Sequence, residues 1–236
     1  MQGVKSDHPP GAVVMVSGDI TRYAASMQAL QSLKAPAGSV LLWNMGVLIA
    51  RSINNGFADM MKNEALHWAF IMGDDHTYDP DILLRLLDRN LDAVVPLCLN
   101  RMPPMDPTII DDEMKRLRYL DSIPTRGLYR LAPHETCGDA GLLVRRNVLA
   151  ATGPNWYERI KSGAHNAEDQ EFIARIKAAG FQVHVDVDQQ LGHIGYVDFK
   201  PVLKQDENGG EHWEVRMIGG ANRHIADLAT VKRSWT

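Results

Sequence analysis

The sequence predicts an α/β fold in which helices cover a mostly parallel central sheet. Four short apolar runs alternate along the first hundred residues with three stretches that carry apolar residues at helical spacing. The third run, residues 69–72, has no alternating polar face, as expected for a strand buried on both sides. It leads into Asp74, Asp75 and His76, at the edge where open α/β sheets bind ligands. Such alternation is typical of a parallel sheet built with right-handed crossovers.

These elements can be assigned in chain order. The predicted strands are residues 12–16, 40–43, 69–72 and 93–97, and the predicted helices are about 21–33, 47–66 and 82–91. Asp79 is the expected N-cap of the third helix and Pro80 its first residue, since carboxylates cap helices and proline suits the first turn.

The alternation stops between residues 99 and 137, where five prolines and a mixed run of charges predict a long irregular segment. Regular structure resumes at residues 138–144. A helix led by residues 165–169 stops at Gly180, and alternation over residues 182–187 predicts a half-buried strand. A hairpin around residues 206–210 and a helix at about 222–231 follow. We expect a main domain over residues 1–197 and an appendage over 198–236 packed on it.

Composition and charge fit a soluble globular protein, with 45% hydrophobic and 23% charged residues. The net charge of -4 gives no global footprint for nucleic acid, although a local basic patch is compatible with it. Cys98 and Cys137 are too few and too far apart for a disulfide framework or a thiolate metal site, which predicts two reduced thiols. No apolar run has the length of a membrane span, and the first residues lack the apolar core of a signal peptide. We expect a cytoplasmic protein.

The acidic loop after the third strand is the first candidate site. Two carboxylates with a nearby imidazole suit a divalent cation such as Mn²⁺ or Mg²⁺, the usual counterion of a diphosphate. Asp74 and Asp75 are also common turn residues, so the loop by itself leaves a plain turn as the alternative. His76 could ligate too, but an exposed turn histidine is the simpler expectation.

Three features occur in a fixed order: the acidic loop at residues 73–76, an Asn-Ala-Glu-Asp helix start at 166–169, and a Gly-His-Ile-Gly loop at 192–195. Together they resemble the GT-A glycosyltransferases, in particular the family 2-like enzymes, over roughly residues 12–197. The resemblance implies a GT-A fold and the transfer of a sugar from a nucleoside-diphosphate donor, such as a UDP- or GDP-sugar, to an acceptor hydroxyl. The family's Asp-X-Asp motif is altered here, since Gly73 stands where the first Asp is expected.

The resemblance also implies roles for individual residues. Asp75 and His193 match the metal ligands of the family, with Mn²⁺ or Mg²⁺ as the expected ion. Asp169 matches the catalytic base of inverting members, with Glu168 as the next candidate. The positions matched to donor contacts are Ser17, Asn44, Asn55, Asp74, Asp139 and Gly141.

Simpler interpretations stay open for these residues. Glu168 and Asp169 lie in the first turn of a helix, where the helix dipole favours carboxylates without any catalysis. His193 is compatible with a hydrogen-bonded loop histidine. Two other functions are the alternatives to the transferase: a metallophosphoesterase-type hydrolase, whose full motifs are absent, and a sugar-nucleotide or carbohydrate-binding protein without catalysis.

The acceptor is predicted from the irregular segment, whose two ends flank the expected donor pocket and which therefore suits an acceptor-binding lid. Its basic residues are Lys115, Arg116, Arg118, Arg126 and Arg130. They favour an anionic acceptor, such as a phosphorylated glycan or a hydroxymethylated DNA base flipped out of its duplex. A solvated charged loop is the alternative.

Overall fold

The computed structural model describes residues 1–17, 23–46, 48–101, 105–111, 116–158, 168–195, 197–219 and 230–231. The helices within these ranges are α1 (Ala24–Ser32), α2 (Ile49–Lys62), α3 (Ile82–Asp88), α4 (Arg146–Thr152) and α5 (Glu168–Ala178), with a 3₁₀ turn at Leu120–Ser122. The strands are β1 (Gln2–Val4), β2 (Ala12–Ser17), β3 (Lys34–Pro36), β4 (Val40–Met45), β5 (Trp68–Gly73), β6 (His76–Thr77), β7 (Ala93–Leu97), β8 (Ile109–Asp111), β9 (Arg116–Leu117), β10 (Leu128–Arg130), β11 (Glu135–Cys137), β12 (Leu143–Arg145), β13 (Val183–Gln190), β14 (Gly192–Ile194), β15 (Val197–Gln205), β16 (Glu211–Gly219) and β17 (Thr230–Val231).

A seven-stranded sheet in the order β10-β13-β7-β12-β5-β2-β4 forms the centre of the molecule. β2 runs parallel to β4 and β5, and β7 runs parallel to β13. β12 runs antiparallel between β5 and β7, and β10 lies antiparallel to β13 at one edge. The predicted mostly parallel sheet is confirmed, and the four strands of the repeating pattern are β2, β4, β5 and β7.

Helices cover both faces of this sheet because its strands are apolar on both sides. In β2, Ala12, Val14 and Val16 face the core cluster that includes α2, α4 and α5. Val13 and Met15 face the opposite cluster, which includes α1 and α3. Continuous apolar strands of this kind are stable only where both faces are buried, and the predicted helix cover is therefore confirmed.

The start of α3 differs from its prediction. Asp81 occupies the N-cap position, and its side chain makes no capping hydrogen bond. The Ile82 amide instead donates to the main-chain carbonyl of Asp79 at 3.1 Å, and the Asp79 carboxylate lies 3.1 Å from Arg85 Nη2. This turn and ion pair replace the side-chain cap, so the assignment of Asp79 as N-cap and Pro80 as first helical residue is wrong.

The segment between residues 99 and 137 contains more regular structure than its composition predicts. β11, β8 and β9 form a three-stranded antiparallel sheet, and β10 joins the central sheet. Glu135 is 1% exposed and holds the segment together, because its Oε1 accepts from Arg118 Nε at 2.6 Å and from the Tyr129 hydroxyl at 2.7 Å. Contacts between residues this far apart in the chain leave no pattern in the local sequence. Residues 102–104 and 112–115 lie outside the described part.

The predicted C-terminal hairpin is confirmed as β15 and β16, with its turn over residues 206–210. It extends a five-stranded sheet in the order β17-β16-β15-β14-β6, and Trp213 and Val215 join the core cluster around α2. The predicted helix at residues 222–231 falls largely outside the described residues, and its last two residues form β17 instead. Among the described helices, none is long and apolar enough to cross a membrane.

Candidate active site

Two short strands bring His76 and His193 side by side. β14 pairs antiparallel with β6, and His193 is the direct partner of His76 in that ladder. Their imidazole rings stack with centroids 4.7 Å apart and planes inclined by 19°. His76 is 6% exposed, so the expectation of an exposed turn histidine is wrong. A strand more than a hundred residues away covers the loop, and local sequence carries no sign of that pairing.

The Asp75 carboxylate lies beside the stacked rings and approaches one nitrogen of each imidazole. Its Oδ1 is 3.0 Å from His76 Nδ1, and its Oδ2 is 3.7 Å from His193 Nε2 and 3.2 Å from Arg101 Nη1. Burial favours the neutral acid, but the attraction of the neighbouring His193 and His76 imidazoles outweighs it and holds the pKa of Asp75 well below its usual range. The two residues predicted as metal ligands, Asp75 and His193, are therefore neighbours.

The imidazoles are charged for the same reason. Burial lowers the pKa of His76, but Asp75 and the adjacent thiol of Cys98 raise it to about 10. Burial also lowers the pKa of His193, and Asp75 and Cys98 raise it to about 9. The cluster therefore places one carboxylate and one thiol beside two imidazolium groups.

Cys98 completes this group of side chains. Its Sγ and one ring nitrogen each of His76 and His193 lie within 4.8 Å of one another. Burial raises the pKa of the Cys98 thiol, but the two histidines lower it to about 7. Both cysteines are free, and Cys98, unlike the expectation from the sequence, belongs to a group of side chains that could hold a metal ion. The loop after β7 and the strand β14 meet at the carboxyl end of β5, and this meeting depends on the tertiary fold.

A second group of acidic side chains contains the predicted base. The Tyr157 hydroxyl donates to Asp139 Oδ2 at 2.6 Å, and Tyr157 is buried while Asp139 is partly buried. Asp169 Oδ2 lies 3.5 Å from the position a Cβ would take on Gly138, which places it beside Asp139. Burial and the negative charge of Asp139 raise the pKa of Asp169 to about 7. A carboxylate with such a pKa can accept and release a proton near neutral pH.

Glu168 precedes Asp169 at the start of α5 and is partly exposed. Its negative charge also raises the pKa of Asp169, by less than burial and Asp139 do. Of the two carboxylates, Asp169 is therefore the one whose environment is adjusted for proton transfer.

The loop before β12 joins the two groups. The Gly141 amide donates to the Ile71 carbonyl at 3.1 Å, so residues 139–142 run along the end of β5. Asp139 lies close enough to His76 and Asp75 for their charges to influence its pKa, which burial raises. The site thus extends from the histidines through Asp139 to Asp169 along one edge of the sheet.

The predicted donor contacts at the first strands occupy the same edge. Ser17 is 3% exposed at the end of β2, and its Oγ accepts from Trp43 Nε1 at 2.9 Å. Asn44, in the adjacent strand β4, has a buried Nδ2 with no hydrogen-bond partner among the described residues. That nitrogen lies 2.9 Å from the position of a Cβ on Gly56, so α2 packs directly on this amide. Asp74 is 1% exposed in the loop after β5.

Asn55 is not brought into this group. It lies on the exposed side of α2 together with Arg51 and Asp59. Its neighbour Asn54 points inward and binds the main chain of Tyr157, with Nδ2 donating to the carbonyl and Oδ1 accepting from the amide, both at 2.9 Å. The Asn55 amide therefore faces solvent, whereas the amide of the preceding residue, Asn54, anchors the segment that carries Tyr157.

Sequence reasoning missed Cys98, Arg101 and Tyr157. Cys98 directly follows β7 at the edge where the acidic loop lies, and that position relative to a strand end was the available signal. Arg101 lies at the start of the irregular segment and donates both to Asp75 and to the carbonyl of Ile194 at 3.3 Å. Tyr157 lies in a loop after α4, and no sequence pattern marks it.

Comparisons with known proteins agree with the architecture. No protein-family model matches the sequence, and no curated protein matches it either. The structure is similar to the crystal structure of A197 from STIV, with a TM-score of 0.52 and 9% identity over 94% of this chain and 100% of that chain. It is also similar to GalNAc-T7 crystallised with UDP, GalNAc and Mn²⁺, with a TM-score of 0.52 and 10% identity over 80% of this chain and 45% of that chain.

GalNAc-T7 is a GT-A glycosyltransferase, and the predicted fold class is confirmed on that similarity and on the sheet described above. This chain has a GT-A-like α/β fold. At identities this low the likeness establishes the fold alone, because unrelated activities share folds. Function has to be inferred from the site.

Proposed function

We propose that this protein transfers a sugar from a nucleoside-diphosphate donor to an acceptor hydroxyl. The observation that carries the proposal is the row of functional groups along one sheet edge: a cluster of possible metal ligands around Asp75, and a partly buried carboxylate, Asp169, whose pKa is raised to about 7. Glycosyl transfer requires both, since the leaving diphosphate gains negative charge while the attacking hydroxyl loses a proton.

Asp75 and His193 are the proposed ligands of a divalent ion, with His76 beside them. The Nε2 atom of His76 is buried and has no hydrogen-bond partner among the described residues, which suits coordination to a cation. A bound ion would neutralise the charge that develops on the diphosphate. Two imidazoles and a carboxylate suit Mn²⁺ or another transition metal better than Mg²⁺, which prefers oxygen ligands and water.

Asp169 is the proposed general base, and the hydrogen-bonded pair of Tyr157 and Asp139 lies next to it. Deprotonation of the acceptor by one carboxylate and attack in a single displacement would invert the anomeric configuration. Asp139 carries its own hydrogen bond from Tyr157, which leaves Asp169 as the carboxylate that receives the proton. Glu168 remains the second candidate.

The donor is proposed to lie along the ends of β2, β4 and β5. Ser17, Asn44, Asp74, Asp139 and Gly141 border this edge. Asn55 is left out of the proposed pocket because it faces away on α2. We keep the division into a main domain over residues 1–197 and an appendage over 198–236 as part of the proposal.

The acceptor is proposed to be a glycan hydroxyl, with the segment after Arg101 as the lid. Two of the arginines that favour an anionic acceptor already form ion pairs within the protein. Arg118 pairs with the buried Glu135, and Arg126 Nη2 lies 2.5 Å from Glu211 Oε1. Lys115 lies outside the described residues. This pairing removes much of the reason to require an anionic acceptor, and hydroxymethylated DNA becomes the second acceptor to be tested.

The proposal is tested by incubating the protein with Mn²⁺, UDP- and GDP-sugars, and neutral glycans, phosphorylated glycans or hydroxymethylated DNA. We expect a mass gain of one sugar on an acceptor, together with slow donor hydrolysis that stops when Mn²⁺ is chelated. Hydrolysis of simple phosphate esters without sugar transfer would favour the phosphoesterase alternative. Tight nucleotide binding with neither transfer nor hydrolysis would favour the binding protein.

A further inference from the structure

We propose that Cys98 is a metal ligand, forming with His76 and His193 a site for a thiophilic divalent ion such as Zn²⁺ or Co²⁺. The inference deepens the proposed function and rests on it for the role of the ion, though not for its binding. It adds a sulfur ligand to a site for which the sequence predicts Mn²⁺ or Mg²⁺. The sulfur shifts the metal preference of the site toward thiophilic ions.

The three donor atoms are already close to a coordinating arrangement. They lie within 4.8 Å of one another, whereas two donors on one tetrahedral zinc ion are about 3.4–3.8 Å apart. A contraction of about 1 Å would bring them to bonding distance of a common ion. Among the described residues, no other set of histidine, cysteine and carboxylate ligand atoms meets this criterion.

Both histidines are oriented as metal ligands usually are. His193 Nδ1 donates to the Leu99 carbonyl at 2.9 Å, and His76 Nδ1 lies 3.0 Å from Asp75 Oδ1. Because a carbonyl accepts from His193 Nδ1 and a carboxylate lies beside His76 Nδ1, Nε2 is the nitrogen left for a metal on each ring. An imidazole whose other nitrogen is fixed by a carbonyl or carboxylate is the common second shell of zinc sites.

The buried His76 Nε2 is an independent reason to expect a ligand. The residue is 6% exposed, and this nitrogen has no hydrogen-bond partner among the described residues. A buried polar atom without a partner costs free energy, and coordination to a metal would remove that cost. The atom belongs to the residue whose ring stacks on His193, so it lies within the same cluster.

Cys98 differs in surroundings from the other cysteine. Both are almost fully buried, at 2% for Cys98 and 1% for Cys137, and both are free. Only Cys98 belongs to the histidine cluster among the described residues. A thiolate with two imidazoles selects Zn²⁺ or Co²⁺ over Mg²⁺, and these three ligands leave a fourth position for Asp75, a phosphate oxygen or water.

The test is cobalt binding to chelator-treated protein, followed by absorption spectroscopy. With one equivalent of Co²⁺ we expect a thiolate-to-cobalt charge-transfer band and the intense visible bands of tetrahedral cobalt. Cys98→Ser should lose the charge-transfer band and bind Zn²⁺ at least about tenfold more weakly. Cys137→Ser, the matched control, should keep both. Bound cobalt without a charge-transfer band in the wild type, or an unchanged band in Cys98→Ser, would overturn the proposal.

Two further measurements separate folding and function from ligation. Cys98→Ala and His76→Gln are examined by circular dichroism, and a folded variant of either kind must show weaker Zn²⁺ binding if the assignment is right. Mn²⁺-dependent binding of UDP and sugar transfer are measured on the same proteins. Transfer by the wild type without any sulfur–cobalt band leaves the proposed function standing and refutes this inference. A clear sulfur–cobalt band without nucleotide binding or transfer supports this inference and refutes the proposed function.

Discussion

Asp169 combines two features that a carboxylate seldom has in solution. It lies in the first turn of α5, where the helix dipole stabilises negative charge, yet its pKa is raised to about 7 by burial and by Asp139. The unfavourable surroundings outweigh the helix dipole. A group held this close to neutrality is suited to proton transfer rather than to capping a helix.

Replacing Asp169 with Asn removes a proton acceptor at nearly constant shape. We expect the sugar-transfer rate to fall by about 10²–10⁴-fold while the affinity for the donor stays the same. Glu168→Gln is the control, because Glu168 influences the pKa of Asp169 less than burial and Asp139 do, and it should change the rate much less. Steady-state kinetics and calorimetric titration with UDP measure the two effects. Near-normal turnover in Asp169→Asn would transfer the role to Glu168.

The pH dependence of transfer follows from the same pKa. Asp169 accepts a proton only when ionised, so the rate should rise with pH through about 7 and then level off. Asp139→Asn removes a neighbouring negative charge, which favours ionisation of Asp169 and moves this limb to lower pH. A pH–rate profile of both proteins measures the shift. A limb that does not move, or moves upward, would contradict the coupling between the two carboxylates.

At the scale of single elements, the loop into β12 is the most constrained part of the site. Gly141 has φ of +70°, and a Cβ there would lie 2.7 Å from Pro96 Cγ and 3.0 Å from Leu191 Cδ1. Positive φ and close packing both require glycine at this position. The loop can therefore pass between β5 and β7 and place Asp139 next to Asp169.

Gly141→Ala should destabilise the fold through both effects. We expect a loss of about 2–4 kcal/mol in the free energy of unfolding, from backbone strain and from overlap with the rigid Pro96 ring. Gly127→Ala is the matched control, since Gly127 has φ of +83° with nothing within 4 Å of its Cβ position, and it should lose about 1–2 kcal/mol. Urea unfolding measures both. Equal losses would mean that the packing contact contributes nothing.

At the scale of the whole molecule, the C-terminal hairpin shares its core with the central sheet. Trp213 is 8% exposed and packs in the cluster that contains Phe57 of α2 and Phe172 of α5. The hairpin also extends the sheet that contains the His193 strand, because β15 pairs with β14. Unfolding of the hairpin would therefore disturb both the core and the histidine cluster.

Trp213→Ala should lower the free energy of unfolding by about 3–5 kcal/mol, since a large buried side chain is lost from a shared core. We expect the wild type to unfold in one cooperative transition followed by both circular dichroism and tryptophan fluorescence. Tyr119→Ala is the control, because Tyr119 is 52% exposed and should cost much less. An early, separate transition of the hairpin would indicate that it folds independently.

Local patterns were enough to predict the repeating strands, the helices between them and the hairpin, because each depends on residues close in the chain. The apolar run of β5 and the carboxylates after it predicted a ligand-binding edge, which is where Asp75 lies. The same locality explains the errors. Asp79 was assigned as a cap although a main-chain turn and an ion pair engage it, and residues 99–137 were expected to be irregular although β8, β9 and β11 pair across that segment.

The sequence by itself determined the fold class, the four strands of the repeat and the edge on which functional groups lie, since hydrophobic periodicity and strand-end chemistry are properties of neighbouring residues. Only the tertiary structure decided which groups meet there. The pairing of β6 with β14 buried His76 against His193, the end of β7 brought Cys98 to them, and the loop before β12 set Asp139 near Asp169. These contacts join residues far apart in the chain, and the neighbours and burial that they create shift the pKa values of the site.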